Sequence, residues 1–218
     1  MARAEPAAKS AADTIDDLLA TAERLFAERG VANVALTQIV AASGQKNRSA
    51  LHYHFGSRGG VLGAVLDRRL AILNGRRHAL LDALPADAAP RQVIRADIAA
   101  LALTVLEEPW GPDYISVLAQ VRFHPSLLGE ALVGDEHLTG LRDVRRRLRA
   151  AAPQIPPELL GRRFDWMTDA VVFALARWTR DTGPADRTHA ALEPLIDELA
   201  AFGAAGLLAT PASEGPCP

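Results

Sequence analysis

The sequence predicts an all-α protein, and three observations support this fold class. Apolar residues recur three and four positions apart along most of the 218 residues, as on one face of a helix. No alternating run of apolar and polar residues is long enough to form a strand. Glycine and proline stand mostly where one helical run gives way to the next. We expect an N-terminal three-helix module followed by a larger helical region.

Composition narrows the class of protein further. The chain is 49% hydrophobic with a net charge of −2, which favours a folded chain over a disordered one. Its single cysteine, Cys217, excludes a disulfide framework and a cysteine-rich zinc site. No apolar run approaches the roughly 18 residues that span a membrane, and the N-terminus has no apolar signal segment. We therefore expect a cytoplasmic protein with no membrane association.

The first module, residues 13–60, is described by its helices and by the residues that end them. Residues 1–12 have no hydrophobic period, and we expect a disordered arm there. Gly30, Gly44 and Gly56 suit the ends of the first three helices, and Ser57 suits the cap of the fourth. The predicted helices are residues 14–29, 36–43 and 47–56, and a fourth that begins after Ser57.

The larger region, residues 61–209, is divided by proline-rich and glycine-containing connectors at 84–90, 153–157 and 182–184. The helices predicted beyond the first connector are residues 91–107, 113–123, 127–151, 157–182 and 185–209. A break at Gly134 is an alternative to one continuous helix over 127–151. The composition of residues 210–218 predicts a disordered tail.

The charge distribution singles out the first module. No acidic residue lies between Glu28 and Asp67, a window that contains Arg29, Lys46, Arg48 and Arg58. Such a window is typical of a surface that binds a polyanion, although a solvated basic face has the same composition. Charge alone leaves both interpretations open.

The arrangement of helices favours the interpretation that this window binds a polyanion. Two short helices that meet at a turn near Gly44 describe a helix-turn-helix, whose second helix must fit the major groove of DNA. That helix needs donors for phosphates and base edges and cannot carry carboxylates. The residues that meet this requirement are Lys46, Asn47, Arg48, Ser49, His52, Tyr53 and His54.

Three segments carry a family resemblance: LFAERG (25–30), VALTQIVAASG (34–44) and SALHYHFGSRGGVL (49–62). Together they resemble the DNA-binding domain of TetR-family transcriptional regulators, and YHFGSR (53–58) is the most specific element. The resemblance implies that His52 and Tyr53 contact phosphates and sometimes bases, and that His54 is the signature histidine. It also implies a phosphate contact for Arg58 at the start of the fourth helix, and a backbone or base contact for Thr37.

This sequence departs from the family pattern at three places. Ala35 stands where a capping Thr or Ser is usual, and His52 stands where Tyr is commoner. The turn after Gly44 is one residue longer than the usual spacing. The longer turn leaves open which of Lys46, Asn47 and Arg48 enters the groove.

For the larger region, the resemblance implies an effector pocket and a homodimer formed through the last two helices. Both helices have a broad apolar face, which across a two-fold axis would form a four-helix interface. The alternative is that these faces pack in the subunit's own core. Their apolar positions include Phe164, Met167, Val171, Val172, Leu175, Trp178, Thr179, Leu192, Leu195, Ile196, Leu199, Phe202 and Leu207.

The pocket would be lined by large side chains of this region, with core packing as the alternative for each of them. The candidates are Trp110, Tyr114, Leu118, Phe123, Trp166, Phe173 and Trp178. Because apolar candidates outnumber charged ones, we expect a small, mostly hydrophobic effector.

Other chemistries have little support. His52 and His54 are two residues apart, so they face different sides of a helix, and we expect no metal site. No phosphate-binding glycine loop or nucleophile motif is present, and we expect no catalytic residues and no cofactor. Glu107 and Glu108 form an acidic pair that suits a helix end. An all-helical small-molecule enzyme and an effector-independent DNA-binding protein remain the alternatives to a regulator of transcription.

Overall fold

The computed structural model describes residues 11–44, 54–131, 134 and 138–210, and every regular element within these ranges is helical. The α-helices are α1 (Ala11–Arg29), α2 (Leu36–Ala42), α3 (Arg58–Asp82), α4 (Pro90–Ala102), α5 (Thr104–Glu107), α6 (Gly111–Phe123), α7 (Pro125–Glu130), α8 (Thr139–Ala151), α9 (Pro157–Asp181) and α10 (His189–Leu208). Short 3₁₀ turns lie at Val31–Asn33 and Pro184–Asp186. The prediction of an all-α fold is confirmed.

Local chemistry sets most helix ends where the sequence predicts them. Gly30 follows α1 with a φ of 88°, a left-handed conformation that favours glycine. The Ser57 side chain accepts a hydrogen bond from the Gly60 amide at 3.1 Å and caps α3. Thr188 caps α10 in the same way, at 3.2 Å from the Ala191 amide.

Two long predicted helices are each divided in the structure. Residues 91–107 form α4 and α5, and residues 127–151 contain α7 and α8 on either side of Gly134. The break at Gly134, stated as an alternative, is therefore the observed arrangement for the described residues. The short α5 is followed by a turn and by Gly111 at the start of α6.

Helix α3 is shared by the first module and the larger region. It begins at Arg58 and continues to Asp82, so the domain boundary expected after residue 60 falls inside it. Its residues Val61, Leu62 and Leu73 are almost completely buried. Any displacement of α3 therefore involves both parts of the molecule.

Two buried ion pairs fasten α3 to its neighbours. Arg69 Nε lies 3.0 Å from both carboxylate oxygens of Glu23 on α1. Arg77 Nε donates to Asp97 Oδ1 of α4 at 2.6 Å. Burial raises the pKa of the Glu23 carboxyl, and the Arg69 guanidinium opposes that shift. Because a buried charge without a partner is costly, each pair fixes the position of α3 relative to the neighbouring helix.

The apolar faces of α9 and α10 lie mostly in the subunit's own core, as the alternative interpretation held. The buried positions are Phe164, Met167, Val171, Val172, Leu175, Thr179, Leu192, Ile196, Leu199 and Leu207. Phe202 is exposed, whereas Trp178 and Leu195 are half-buried. The buried positions therefore belong to the fold of one subunit. Among the described helices, none is long and apolar enough to cross a membrane.

Candidate nucleic-acid interface and ligand cavity

Helix α2 holds one predicted nucleic-acid contact at the surface. Ile39 and Val40 are buried and anchor the helix, whereas Thr37 is exposed. The cap of this helix has no hydroxyl, as the departure at Ala35 predicts. The Gln38 Oε1 instead accepts the Ala35 amide at 2.8 Å.

Most of the predicted recognition residues lie outside the described part of the chain. These are Lys46, Asn47, Arg48, Ser49, His52 and Tyr53. His54 is exposed, whereas Phe55 is half-buried and packs against the core. His54 is thus at the surface, next to an apolar side chain that packs in the core.

The turn between Phe55 and α3 has a tightly fixed backbone. Gly56 has a φ of 66°, and the Ser57 amide donates to the Phe55 carbonyl at 2.6 Å. A Cβ atom on Gly60 would collide with that same carbonyl oxygen. Glycine at position 60 therefore lets the start of α3 approach the Phe55 carbonyl closely.

Arg58 lies at the start of α3, where the resemblance implies a phosphate contact. Its Nη1 donates to the carbonyl of Ala32, at 2.8 Å, in the 3₁₀ turn after α1. The side chain is half-buried. Arg58 therefore joins α3 to the end of α1, a packing role that sequence analysis missed.

Gln120 of α6 is a second link to the end of α1. Its Oε1 accepts the Val31 amide at 2.8 Å, and its Nε2 donates to the Phe26 carbonyl at 3.0 Å. One side chain thus bonds both sides of the Gly30 turn. A single glutamine in an amphipathic helix carries no sequence signal for this role, so sequence analysis missed it.

A cavity of about 470 Å³ lies between α3, α4, α6, α8 and α9. Its volume falls in the range of small-molecule sites. Most of its surface is aliphatic, with Tyr114 as the one aromatic ring among the described lining residues. The lining consists of Leu66, Leu70, Leu73, Arg77, Leu101, Tyr114, Leu118, Val121, Arg122, Ala131, Leu138, Leu141, Arg142, Arg145, Thr168 and Val172.

The structure brings only part of the predicted pocket set to this cavity. Tyr114 and Leu118 line it. Trp110 lies beneath the Arg69 guanidinium at 4.1 Å and edge-on to Tyr114, and Trp178 is half-buried elsewhere on α9. Neither tryptophan is among the residues that line the cavity.

The remaining aromatic candidates are at the surface. Phe123 and Phe173 are exposed and meet edge to face, with ring centroids 6.0 Å apart. Trp166 is 61% exposed. The expectation that all seven large residues share one pocket is wrong for these three, because helical spacing alone does not say which faces of α6 and α9 turn outward.

The acidic pair in the sequence has a structural partner. Arg76 Nη2 lies 2.7 Å from Glu107 and 3.4 Å from Glu108, which fastens the end of α5 to α3. Within the described ranges, no group of three or more His, Cys, Asp or Glu residues could hold a metal ion.

Two family models match this chain. The model of bacterial regulatory proteins of the tetR family matches residues 18–65, and the model of the tetracyclin repressor-like C-terminal domain matches residues 98–206, which is half of the chain. A search among curated proteins gives no match.

Solved structures with the same fold include the fatty acid degradation regulator FadR from Bacillus halodurans. Its TM-score is 0.64 at 12% identity, over 94% of this chain and all of that one. The TetR family transcriptional regulator PfmR from Thermus thermophilus has a TM-score of 0.51 at 22% identity, over 87% of this chain and 96% of that one. A gamma-butyrolactone receptor, described as ArpA-like, has a TM-score of 0.51 at 18% identity, with 88% and 96% coverage.

Proposed function

Because the chain belongs to the TetR family of transcriptional regulators, we propose that it represses transcription as a homodimer on operator DNA. A small, mostly hydrophobic effector then releases it from the operator. The observation that carries this proposal is that one helix, α3, both starts at the nucleic-acid side and lines the cavity. Its first residue is Arg58, and Leu66, Leu70, Leu73 and Arg77 face the cavity.

Helix α6 adds a second route between the cavity and the first module. Tyr114, Leu118 and Val121 line the cavity, while Gln120 on the same helix holds the end of α1. A ligand that displaces α6 would therefore move the first module through hydrogen bonds.

A ligand releases DNA only if it binds the DNA-incompetent arrangement more tightly. By linkage, operator DNA must then weaken ligand binding by the same factor. The cavity favours this effector-dependent function over an effector-independent DNA-binding protein, for which a solid core is expected. A coupling free energy of about 1–3 kcal/mol is ordinary for such a switch.

Dimerisation through α9 and α10 is supported by two large apolar side chains that are exposed on the surface of the single subunit. Trp166 and Phe202 are 61% and 64% exposed, although both are large and apolar. Their sequence neighbours, Met167 and Gly203, bring the helices together, since a Cβ on Gly203 would lie 2.8 Å from Met167 Sδ. The two exposed rings therefore flank a close helix contact, and a second copy of the chain would cover them.

The experiment that tests the proposal is selection of genomic DNA fragments by the purified chain, followed by gel shifts at two salt concentrations. We expect a near-palindromic motif whose half-sites lie about one helical turn, or a multiple of it, apart. Affinity should fall steeply as salt rises, because phosphate contacts release counterions. If no motif is enriched and no salt-dependent DNA binding is measured, the DNA-binding function is contradicted and the all-helical enzyme becomes the better hypothesis.

A further inference from the structure

We propose that the cavity binds an aliphatic carboxylic acid, with the carboxylate held by Arg77 and the hydrocarbon chain among the leucines. The inference rests on the proposed function, in that it names the chemical class of the effector. It adds an anionic head group to the mostly hydrophobic molecule expected from the sequence.

Arg77 has a buried guanidinium whose hydrogen-bonding capacity is only partly used. Its side chain is only 6% exposed, and its Nε donates to Asp97 at 2.6 Å. Its buried Nη1 has no hydrogen-bond partner among the described residues. A buried donor without an acceptor is costly, so a ligand oxygen at Nη1 would be bound favourably. Arg77 lines the cavity, so a molecule bound there could supply that oxygen once the guanidinium turns towards it.

The charged side chains that line the cavity are all arginines. Arg77, Arg122, Arg142 and Arg145 line it, and the described lining contains no carboxylate. Three of them pair with carboxylates that are not among the lining residues: Arg77 with Asp97, Arg122 with Asp169 and Arg145 with Asp165. Positive groups in a concave, low-dielectric site attract an anion in preference to a neutral or cationic molecule.

Two further polar features suit a carboxylate. The Nε of Arg145 is buried without a hydrogen-bond partner in the described structure. Burial raises the pKa of the Tyr114 phenol, so that this cavity-lining group keeps its proton at neutral pH and remains a donor. An anionic oxygen pair could therefore find donors besides Arg77.

The apolar residues that line the cavity indicate the chemistry of the rest of the ligand. Seven leucines line the cavity, on α3, α4, α6, α8 and the residue before α8. Flexible aliphatic side chains of this kind pack well around an alkyl chain. Arginine donors beside an aliphatic chamber together select an amphipathic acid over an alcohol or an amine of the same length.

The test is titration calorimetry of the full chain with straight-chain carboxylates from hexanoate to hexadecanoate, each compared with the alcohol and the amine of equal length. We expect the best carboxylate to bind about tenfold or more tightly than its alcohol, because the bond to a charged donor is lost in the alcohol. The amine should bind more weakly still. Equal affinity for acid and alcohol, or no binding across the whole series, would overturn the inference.

A conservative variant keeps the test independent of folding. Arg77→Lys retains a cation for Asp97 but lacks the second guanidinium nitrogen, so the acid should lose most of its advantage over the alcohol while the alcohol affinity is unchanged. The matched control is Arg76→Lys, since Arg76 pairs with Glu107 and Glu108 and does not line the cavity. An acid preference that survives in Arg77→Lys assigns the carboxylate elsewhere and contradicts the proposal.

Failure of this inference differs from failure of the proposed function. Binding of a carboxylate that leaves operator affinity unchanged supports the ligand class and contradicts effector-controlled release. Salt-dependent operator binding without any carboxylate binding supports the DNA-binding function and contradicts the proposed ligand class.

Discussion

Arg58 joins two helices of the fold, and we propose that the same side chain also contacts DNA. Its guanidinium donates to the Ala32 carbonyl and so joins α3 to the turn after α1. A guanidinium has five donors, so a bond to one carbonyl is compatible with a phosphate contact. The N-terminus of α3 at the same place favours an anion as well.

Arg58→Ala is therefore expected to weaken binding to all DNA sequences about equally, because phosphate contacts carry no sequence information. The slope of log affinity against log salt should flatten by about one. Gel shifts over a salt series measure both effects, with Arg149→Ala at an exposed position of α8 as the control. A folded Arg58→Ala variant with full affinity and an unchanged slope would show that Arg58 has only a packing role.

Glycine at position 60 has a role that composition does not reveal. The cluster Gly59, Gly60 and Gly63 suggests a softened helix start, but Gly59 and Gly63 are buried and Gly60 faces the Phe55 carbonyl. The requirement at Gly60 is close approach of two backbone segments, which only the folded structure shows.

Gly60→Ala is expected to lower the free energy of unfolding by about 1–3 kcal/mol, because the added methyl group forces the turn apart. Gly75→Ala on the same helix is the matched control, since nothing lies within 4 Å of its Cβ position and α3 is exposed there. That variant should raise stability by about 0.5–1 kcal/mol, as alanine does in a helix interior. Urea unfolding measures both, and an unchanged midpoint for Gly60→Ala would contradict the tight turn.

For the helices, the sequence predicts the features that local interactions determine, such as the positions of helix ends. Ser57 and Gly30 mark helix ends by capping and by backbone conformation, and both ends are where the sequence places them. Which apolar side chains of α9 are buried and which are exposed could not be predicted, because both kinds recur at the same helical spacing. The structure buries Val172 and exposes Trp166 on that helix. Which face is inside depends on the neighbouring helices, which a single sequence does not show.

The same limit applies to α6. Its role in joining the cavity to the first module depends on Gln120, whose partners Phe26 and Val31 are about ninety residues away in sequence. Long-range contacts of this kind leave no local pattern. The helix-turn-helix segments were identified because their residues are close in sequence and characteristic in type.

Gln120→Ala is expected to lower the free energy of unfolding by about 1–3 kcal/mol, since the Val31 amide loses its side-chain acceptor. Gln120→Glu should be intermediate, because its carboxylate still accepts from Val31 but cannot donate to Phe26. Gln154→Ala, at an exposed loop position, is the control. If Gln120→Ala is as stable as the control by urea unfolding, α6 does not hold the end of α1 as the hydrogen bonds indicate.

For the whole molecule, the proposed regulator requires two copies, because one recognition helix reads too few base pairs for useful specificity. The surface available for pairing is the outer side of α9 and α10, where Trp166 and Phe202 are exposed. Val172 lies inside the subunit and lines the cavity, so a charge there would disturb the fold and would not report on the interface.

Trp166→Glu and Phe202→Glu are each expected to dissociate the dimer and to abolish operator binding together, since a charge at the centre of an apolar interface is left without water or a partner. Sedimentation equilibrium measures the oligomeric state, and gel shifts measure DNA binding on the same preparations. Ile72→Glu is the control, because Ile72 is an exposed apolar residue on α3, outside the proposed interface. Dissociation without loss of operator binding would show that one subunit suffices for DNA recognition. Variants that remain dimeric would place the interface on another face, and the exposure of the two rings would then need a different partner.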